Sequence, residues 1–371
     1  MIDITKSKVA LTLVHPQTVL SCRFSPCGKF VFGGAIDRLI VRWELATQQK
    51  TTWSSHTSWV GALAVATKPD RLFSSDYHGR LIAWPIDAAS SPPDAPQPQQ
   101  EPKQPQGPKP TQQPKPLWKV DDAHAGWIRA LATSPDSSTV ASCGADKVVR
   151  LWDSATGQRR RELTGHDADV FSVVFHPSGE WLASGDLLGR VKVWNVKAGE
   201  SARQFDAKPL HTRGDEFNFI ADVGGVRGLA FSPDGKKLLC GGMTDAESNT
   251  FCPGKPALLE LDFESGQVVR TLRIKEKSDG PLNAARWLPD GVIVAQGEGQ
   301  NGGALSFWSA GQNEAAFALK GQSGYDLDLH PDGRRLASTV FKPKGRGGNG
   351  RHASPAEYVA NEGAVEVVEL A

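Results

Sequence analysis

Long apolar runs are missing from this chain. No stretch approaches 18 consecutive apolar residues, so no membrane-spanning helix is expected. The opening residues, MIDITKSKVALTLVHP, carry charges at Asp3, Lys6 and Lys8 and hold no apolar core of signal-peptide length, so no secretory leader is expected either. Charge of one sign is also lacking. With 42 Lys and Arg against 41 Asp and Glu, the formal net charge is +1, which removes any overall pull toward nucleic acid or anionic lipid and leaves such binding to local patches. Cysteine is sparse: five residues, at 22, 27, 143, 240 and 252, form an odd, scattered set with no Cys-x-x-Cys pair, and they read as free thiols, buried where they fall in strand patterns. A cytoplasmic protein is the expectation.

Signatures of catalysis are equally scarce. No Gly-x-Ser-x-Gly elbow occurs, and the acidic residues are spread over turns. His78, His176, His211, His330 and His352 show no metal-ligand spacing, and His176 and His330 simply precede turn prolines. The glycines of the basic stretch 341 to 355 lack the strand-loop-helix setting of a phosphate-binding loop. A noncatalytic protein without metal or cofactor is expected.

What the chain does have is a repeat. From Gly165 to Trp194 it reads as a His, an alternating apolar run, a Pro-x-Gly turn and a second apolar run closing on Trp. The interval of 28 residues from His166 to Trp194 recurs from His15 to Trp43, His56 to Trp84 and His124 to Trp152. Within each unit the period is two, as in Val170, Ser172 and Val174 against Phe171, Val173 and Phe175, so the elements are strands. A step of 41 or 42 residues from His to His accommodates four short strands. With Gly165-His166, Trp152-Asp153 and the turn Ser232-Pro233-Asp234-Gly235, the chain resembles the WD-repeat β-propellers. Turn prolines at 26, 135, 177, 233, 289 and 331, with the unit after His56, count seven blades.

The resemblance implies an all-β, seven-bladed propeller of four-stranded antiparallel blades in a single domain over residues 1 to 371. Ala364 to Leu370 aligns with a third strand, whereas Lys8 to Leu13 stands where a fourth is found elsewhere, so the two are expected to pair and remove an open edge. It also implies a buried hydrogen-bonded chain in each blade. Blade one offers His15, Ser21, Asp37 and Trp43; blade three His124, Asp146 and Trp152, with Ala130 in the Ser place; blade four His166, Ser172 and Trp194, with Leu188 where Asp is expected. Asp186 lies two residues early, as does Asp76 in blade two, so those two blades are expected to be held less rigidly.

Five insertions interrupt the pattern. The step from His56 to His124 is 68 residues because a Pro- and Gln-rich segment, about 90 to 116, enters between the third and fourth strands of blade two. It has no aromatic, is expected to be disordered or polyproline-like, and carries Pro-x-x-Pro spacings at Pro93 to Pro96 and Pro102 to Pro105 that suit an aromatic groove on a partner. Extra residues also lie near Lys208 to Ala221 and between the second and third strands of blades five to seven, and both kinds of loop leave on one face, the top. Blade seven's insert is a basic Gly-rich loop, about 342 to 355, with Lys342, Lys344, Arg346 and Arg351; no aromatic interleaves the cations, which argues against nucleic acid.

The resemblance places the residues that flank the first apolar position of each inner strand on the top rim of the central channel. Here these are Trp59, Trp127, Arg129, Asp169, Phe171, Arg227, Asn283 and Tyr325, types that dominate interface energetics. A monomeric scaffold that binds other proteins or peptides through this face is expected. The alternative is a propeller enzyme with a small molecule or metal at the channel mouth, which carboxylates and His converging there would favour.

Overall fold

The computed structural model describes residues 2–68, 70–86, 114–214, 221–247, 254–274, 280–299, 303–342, 350–354 and 357–371, with backbone alone for 342, 350–354 and 357–360. Alternating apolar runs form strands, and the strands form seven four-stranded antiparallel sheets. The inner strands are Val19–Phe24, Val60–Thr67, Ile128–Thr133, Val170–Phe175, Gly228–Phe231, Leu282–Trp287 and Leu327–Leu329, and each contacts the next around a closed ring. Helix among the described residues is limited to two short 3-10 turns, Ile4–Lys6 and Lys208–Leu210.

The ring closes as the alignment of the two ends requires. Lys8–His15 pairs antiparallel with Glu362–Glu369, from Lys8 opposite Glu369 to His15 opposite Gly363. Blade seven therefore takes three strands from the end of the chain and its outermost from the beginning.

The core lies between the blades rather than within any one of them. Phe32, Ile40 and Trp53 of blade one pack on Val60, Leu72 and Trp84 of blade two, with Trp53 and Trp84 ring centres 5.5 Å apart. Each sheet thus buries both faces against its neighbours, which is why one apolar set alternates with another along every strand. Turns keep the sheets in register. At Ser232–Gly235 the Ser232 hydroxyl donates to Asp234 Oδ1 at 2.6 Å, and Gly235 takes a φ of 74°, where a side chain would be strained.

The insertions differ in what they form. The one before blade five makes a small hairpin, His211–Arg213 with Asp222–Gly224, and Val223 packs with Met243 and Ala246 of blade five's lengthened second strand and following loop. Blade seven's insert pairs Gly350–Ser354 with Glu357–Ala360, so Arg351 lies in a strand and Lys342 ends another. Lys344 and Arg346 lie outside the described residues, as does nearly all of the Pro- and Gln-rich segment.

Candidate functional site

The buried hydrogen-bonded chain exists, with a membership that spacing alone did not identify. In blade three Trp152 Nε1 donates to Ser142 Oγ at 2.8 Å, Ser142 lies 2.6 Å from His124 Nε2, and His124 Nδ1 lies 2.8 Å from Asp146. Ser142 accepts from Trp, so its own proton points at His124 Nε2, and the neutral ring then donates from Nδ1 to the carboxylate. Ser74 and Ser184 do the same for His56 and Trp84, and for His166 and Trp194.

Three expectations are thereby corrected. Ser21 and Ser172 take no part: Ser172 donates to Val226 O across the blade interface at 2.8 Å, and Ser21 Oγ has no partner among the described residues. The serine comes from the second strand, two residues beyond the one paired with the Trp, where the indole and imidazole converge on one hydroxyl. Blade one, expected to be complete, has Gly33 at this position; His15 meets Asp37 through Nε2 at 2.8 Å, and its Nδ1 is unpartnered among the described residues. Blades two and four, expected to be loose, are closed. Asp76 and Asp186 reach His56 and His166 at 3.1 and 2.7 Å, and each also accepts backbone N–H bonds from the turn that follows.

Burial depresses the pKa of His56 and His124 despite their carboxylate partners. Burial alone would push Asp76 up, but bonds from His56 and from the Arg80 and Thr57 amides outweigh it and hold the group low. These networks fix the blades.

The channel mouth is organised differently. In five blades a β-bulge falls at the top of the inner strand, and the bulged residues are Leu20, Gly61, Arg129, Phe171 and Asn283. A bulge re-aims the extra residue's side chain. With Arg227 and Tyr325 these make one ring of equivalent positions, each six residues before its turn proline except in blade two, where Thr67 replaces the proline. All seven line a central cavity of about 740 Å³.

Gly61 leaves a gap that Tyr77 fills: a Cβ at position 61 would lie 2.5 Å from Tyr77 Cε1. Tyr77 then stacks on Trp127 with ring centres 4.5 Å apart and packs on Trp59 at 5.5 Å. The Arg129 guanidinium lies 4.3 Å from the Trp127 ring and 5.0 Å from Phe171, and Arg227 lies 4.0 Å from Phe171. A continuous column therefore runs Trp59, Tyr77, Trp127, Arg129, Phe171, Arg227 across blades two to five. Asp169 pairs with Arg129 at 3.3 Å. On the other side Tyr325 stacks on Phe341 at 5.1 Å and packs with Leu20 and Ile36. Asn283 sits beside Glu298, whose carboxyl burial pushes up even though Asn283 and Arg227 pull it down. Burial likewise raises the Tyr77 phenol.

Deeper in the channel, Arg23 pairs with Asp326 at 2.5 Å, and Arg286 lies 3.8 Å from Asp328. The same carboxylates accept the backbone N–H groups of Cys22 at 3.1 Å and Phe24 at 3.0 Å, stitching blade seven to blade one. No His lines the cavity among the described residues, and no group of three or more His, Cys, Asp or Glu there is placed to hold a metal.

Four stretches, residues 7–44, 115–153, 157–195 and 217–246, match the family described as WD40: WD domain, G-beta repeat. The chain belongs to the WD40 repeat family. WD40 propellers generally act as protein-protein interaction scaffolds and are typically noncatalytic. Among relatives, the chain is 30% identical over 40% of its length to Protein TOPLESS-RELATED PROTEIN 2 of Oryza sativa subsp. japonica. It is 26% identical over 70% of its length to Apoptotic protease-activating factor 1 of Homo sapiens, and 29% identical over 39% to Eukaryotic translation initiation factor 3 subunit I of Aspergillus fumigatus. The matches span 12%, 19% and 37% of those proteins.

Of the rim residues read from the sequence of this WD40 chain, Arg129, Phe171, Arg227, Asn283 and Tyr325 line the cavity, while Trp59, Trp127 and Asp169 stand around it. Tyr77, Glu298, Ile36 and Phe341 were not foreseen. They follow the second strands or end one, and their backbone N–H groups bond to carbonyls at the tops of the inner strands, as Tyr77 does to Trp59. The glycine at 61, where other blades carry a side chain, was the one readable signal for Tyr77.

Proposed function

We propose that this WD40 propeller is a noncatalytic scaffold that seats a peptide segment of a partner protein across its channel mouth. The column from Trp59 to Arg227 carries the reading. It joins four aromatic side chains and two guanidinium groups that are stacked before any partner arrives, so little side-chain entropy remains to be lost on binding. Trp127 is 43% exposed although both its neighbours are packed, which leaves a rigid aromatic edge open to solvent. Burying such an edge is the kind of contact on which interfaces concentrate their energy.

The reading is tested with the double variant Trp127→Ala, Arg129→Ala. A partner captured by the wild-type chain, identified by mass spectrometry and then purified, should lose at least about 2 kcal/mol of binding free energy, near thirtyfold in Kd, by calorimetry. Thermal unfolding should shift little. Unchanged affinity for the double variant would show that the partner docks elsewhere.

A further inference from the structure

We propose that the propeller pairs with a second copy of itself through the outer edge of blade seven, strand against strand across a two-fold axis. That edge is Lys8–His15, which bonds to Glu362–Glu369 on one side and to no other strand among the described residues. An unpaired edge presents a row of backbone N–H and C=O groups, and natural sheets blunt such rows with charge or keep them short. In the other six blades no outer strand runs beyond four residues without a charge: Arg159–Leu163 opens with three Arg, Glu200–Asp206 holds Glu200, Arg203 and Asp206, and Trp118–Val120 is only three residues long. Lys8–His15 is eight residues long and carries no charge from Val9 to Val14. Val9 and Val14 are 37% and 57% exposed.

The register makes this edge complementary to itself. A bulge sets Ala10 aside, so Val9, Leu11, Thr12, Leu13 and Val14 lie opposite Val368, Val367, Glu366, Val365 and Ala364 in unbroken succession. Val9 and Val14 therefore stand two steps to either side of Thr12, on one face of the sheet. With Thr12 on the two-fold axis, an antiparallel copy sets Val9 against Val14, Leu11 against Leu13 and Lys8 against His15, which Asp37 already answers at 2.8 Å. The same operation on Arg159–Leu163 would bring Arg against Arg. Charge and shape thus select a second copy for the edge of blade seven. One strand pair buries less than the roughly 1,200 Å² of a standard interface, so the association is weak and depends on concentration.

Sedimentation equilibrium of the full chain tests this. Between about 1 and about 500 μM the weight-average mass should climb from monomer toward dimer, as befits an interface of this size. Val14→Lys puts a charge on the edge at an exposed position, and it should weaken association at least about tenfold while leaving thermal unfolding unchanged. Val9→Glu should do the same. An equal mixture of the two variants should recover the dimer, because the introduced charges are opposite in sign and meet across the axis. Val269→Lys, at a valine 51% exposed on blade five's outer strand, should change nothing.

A monomer at every concentration overturns the proposal. So does a dimer indifferent to Val14→Lys and Val9→Glu, or one abolished by Val269→Lys or by Trp127→Ala, which would put the contact on blade five or at the channel mouth. Loss in both single variants without recovery in their mixture would overturn the pairing of Val9 with Val14.

Discussion

Blades two to four and blades five to seven solve the same packing problem by different means. In the first group a Trp, a Ser, a His and an Asp form one satisfied chain through the buried sheet. In the second group that chain is gone. Blade five closes on Leu261, and the neighbouring Glu260, fully buried, is held by Lys237 and Arg270. In blade six Trp308 donates to Arg273 O at 3.0 Å. Between blades six and seven, Ser338 donates to Gln296 Oε1 at 2.6 Å and Gln322 to Glu366 at 2.5 Å.

Seven residues after the turn proline, Ser142, Ser184, Cys240, Gln296 and Ser338 are equivalent. The position is constant while its partners change. The propeller keeps most of its buried polar groups satisfied and the space between blades filled, and it tolerates several chemistries that achieve this.

The largest test of this contrast is truncation of the closing residue. Trp194→Ala should cost about 3–5 kcal/mol, since it empties the interface and removes the indole donor to Ser184, whereas Leu261→Ala should cost about 2–3 kcal/mol by denaturant unfolding. Equal losses would mean that the chain adds nothing to packing. A smaller effect separates the two serines of blade three and blade one: Ser142→Ala should cost about 1–3 kcal/mol because two donors or acceptors lose their partner, and Ser21→Ala should stay within about 0.5 kcal/mol.

The smallest and most selective effect is on pH. His56 and His124 titrate below 6.5 when folded, so the unfolded chain takes up their protons first. Stability from these groups is complete above pH 6.5 and is lost as the pH falls from there toward their folded values, by up to about 1.4 kcal/mol per pH unit for each. Asp76 and Asp146, held low, add a further loss only below the ordinary carboxylate range. Hydrogen exchange between about pH 7.5 and about pH 5.5, corrected for intrinsic rates, should therefore show protection falling in 70–86 and 139–153 and holding in 237–244. A uniform change would remove the distinction between the two groups of blades.

Much of the candidate site was readable, though unevenly. Arg129, Phe171, Arg227, Asn283 and Tyr325 could be placed at the mouth because a repeat carries position from one unit to the next. Tyr77 and Glu298 could not, since each comes from the end of a second strand whose side chain crosses into space owned by the inner strand. Ser142 was missed for a related reason. Within one blade Ala130 and Ser142 lie on adjacent strands, and which of them faces the indole is a matter of pairing.

The sequence by itself determined the period, the strand count, the turns and the closure of the ring, because these depend on alternation and spacing along the chain. Only the tertiary structure decided which hydroxyl bridges Trp and His, and that aromatic rings and guanidinium groups from four blades stack into one column. Those arrangements join residues far apart in the chain, and their geometry is fixed by strand register and by the bulges that turn single side chains toward the axis.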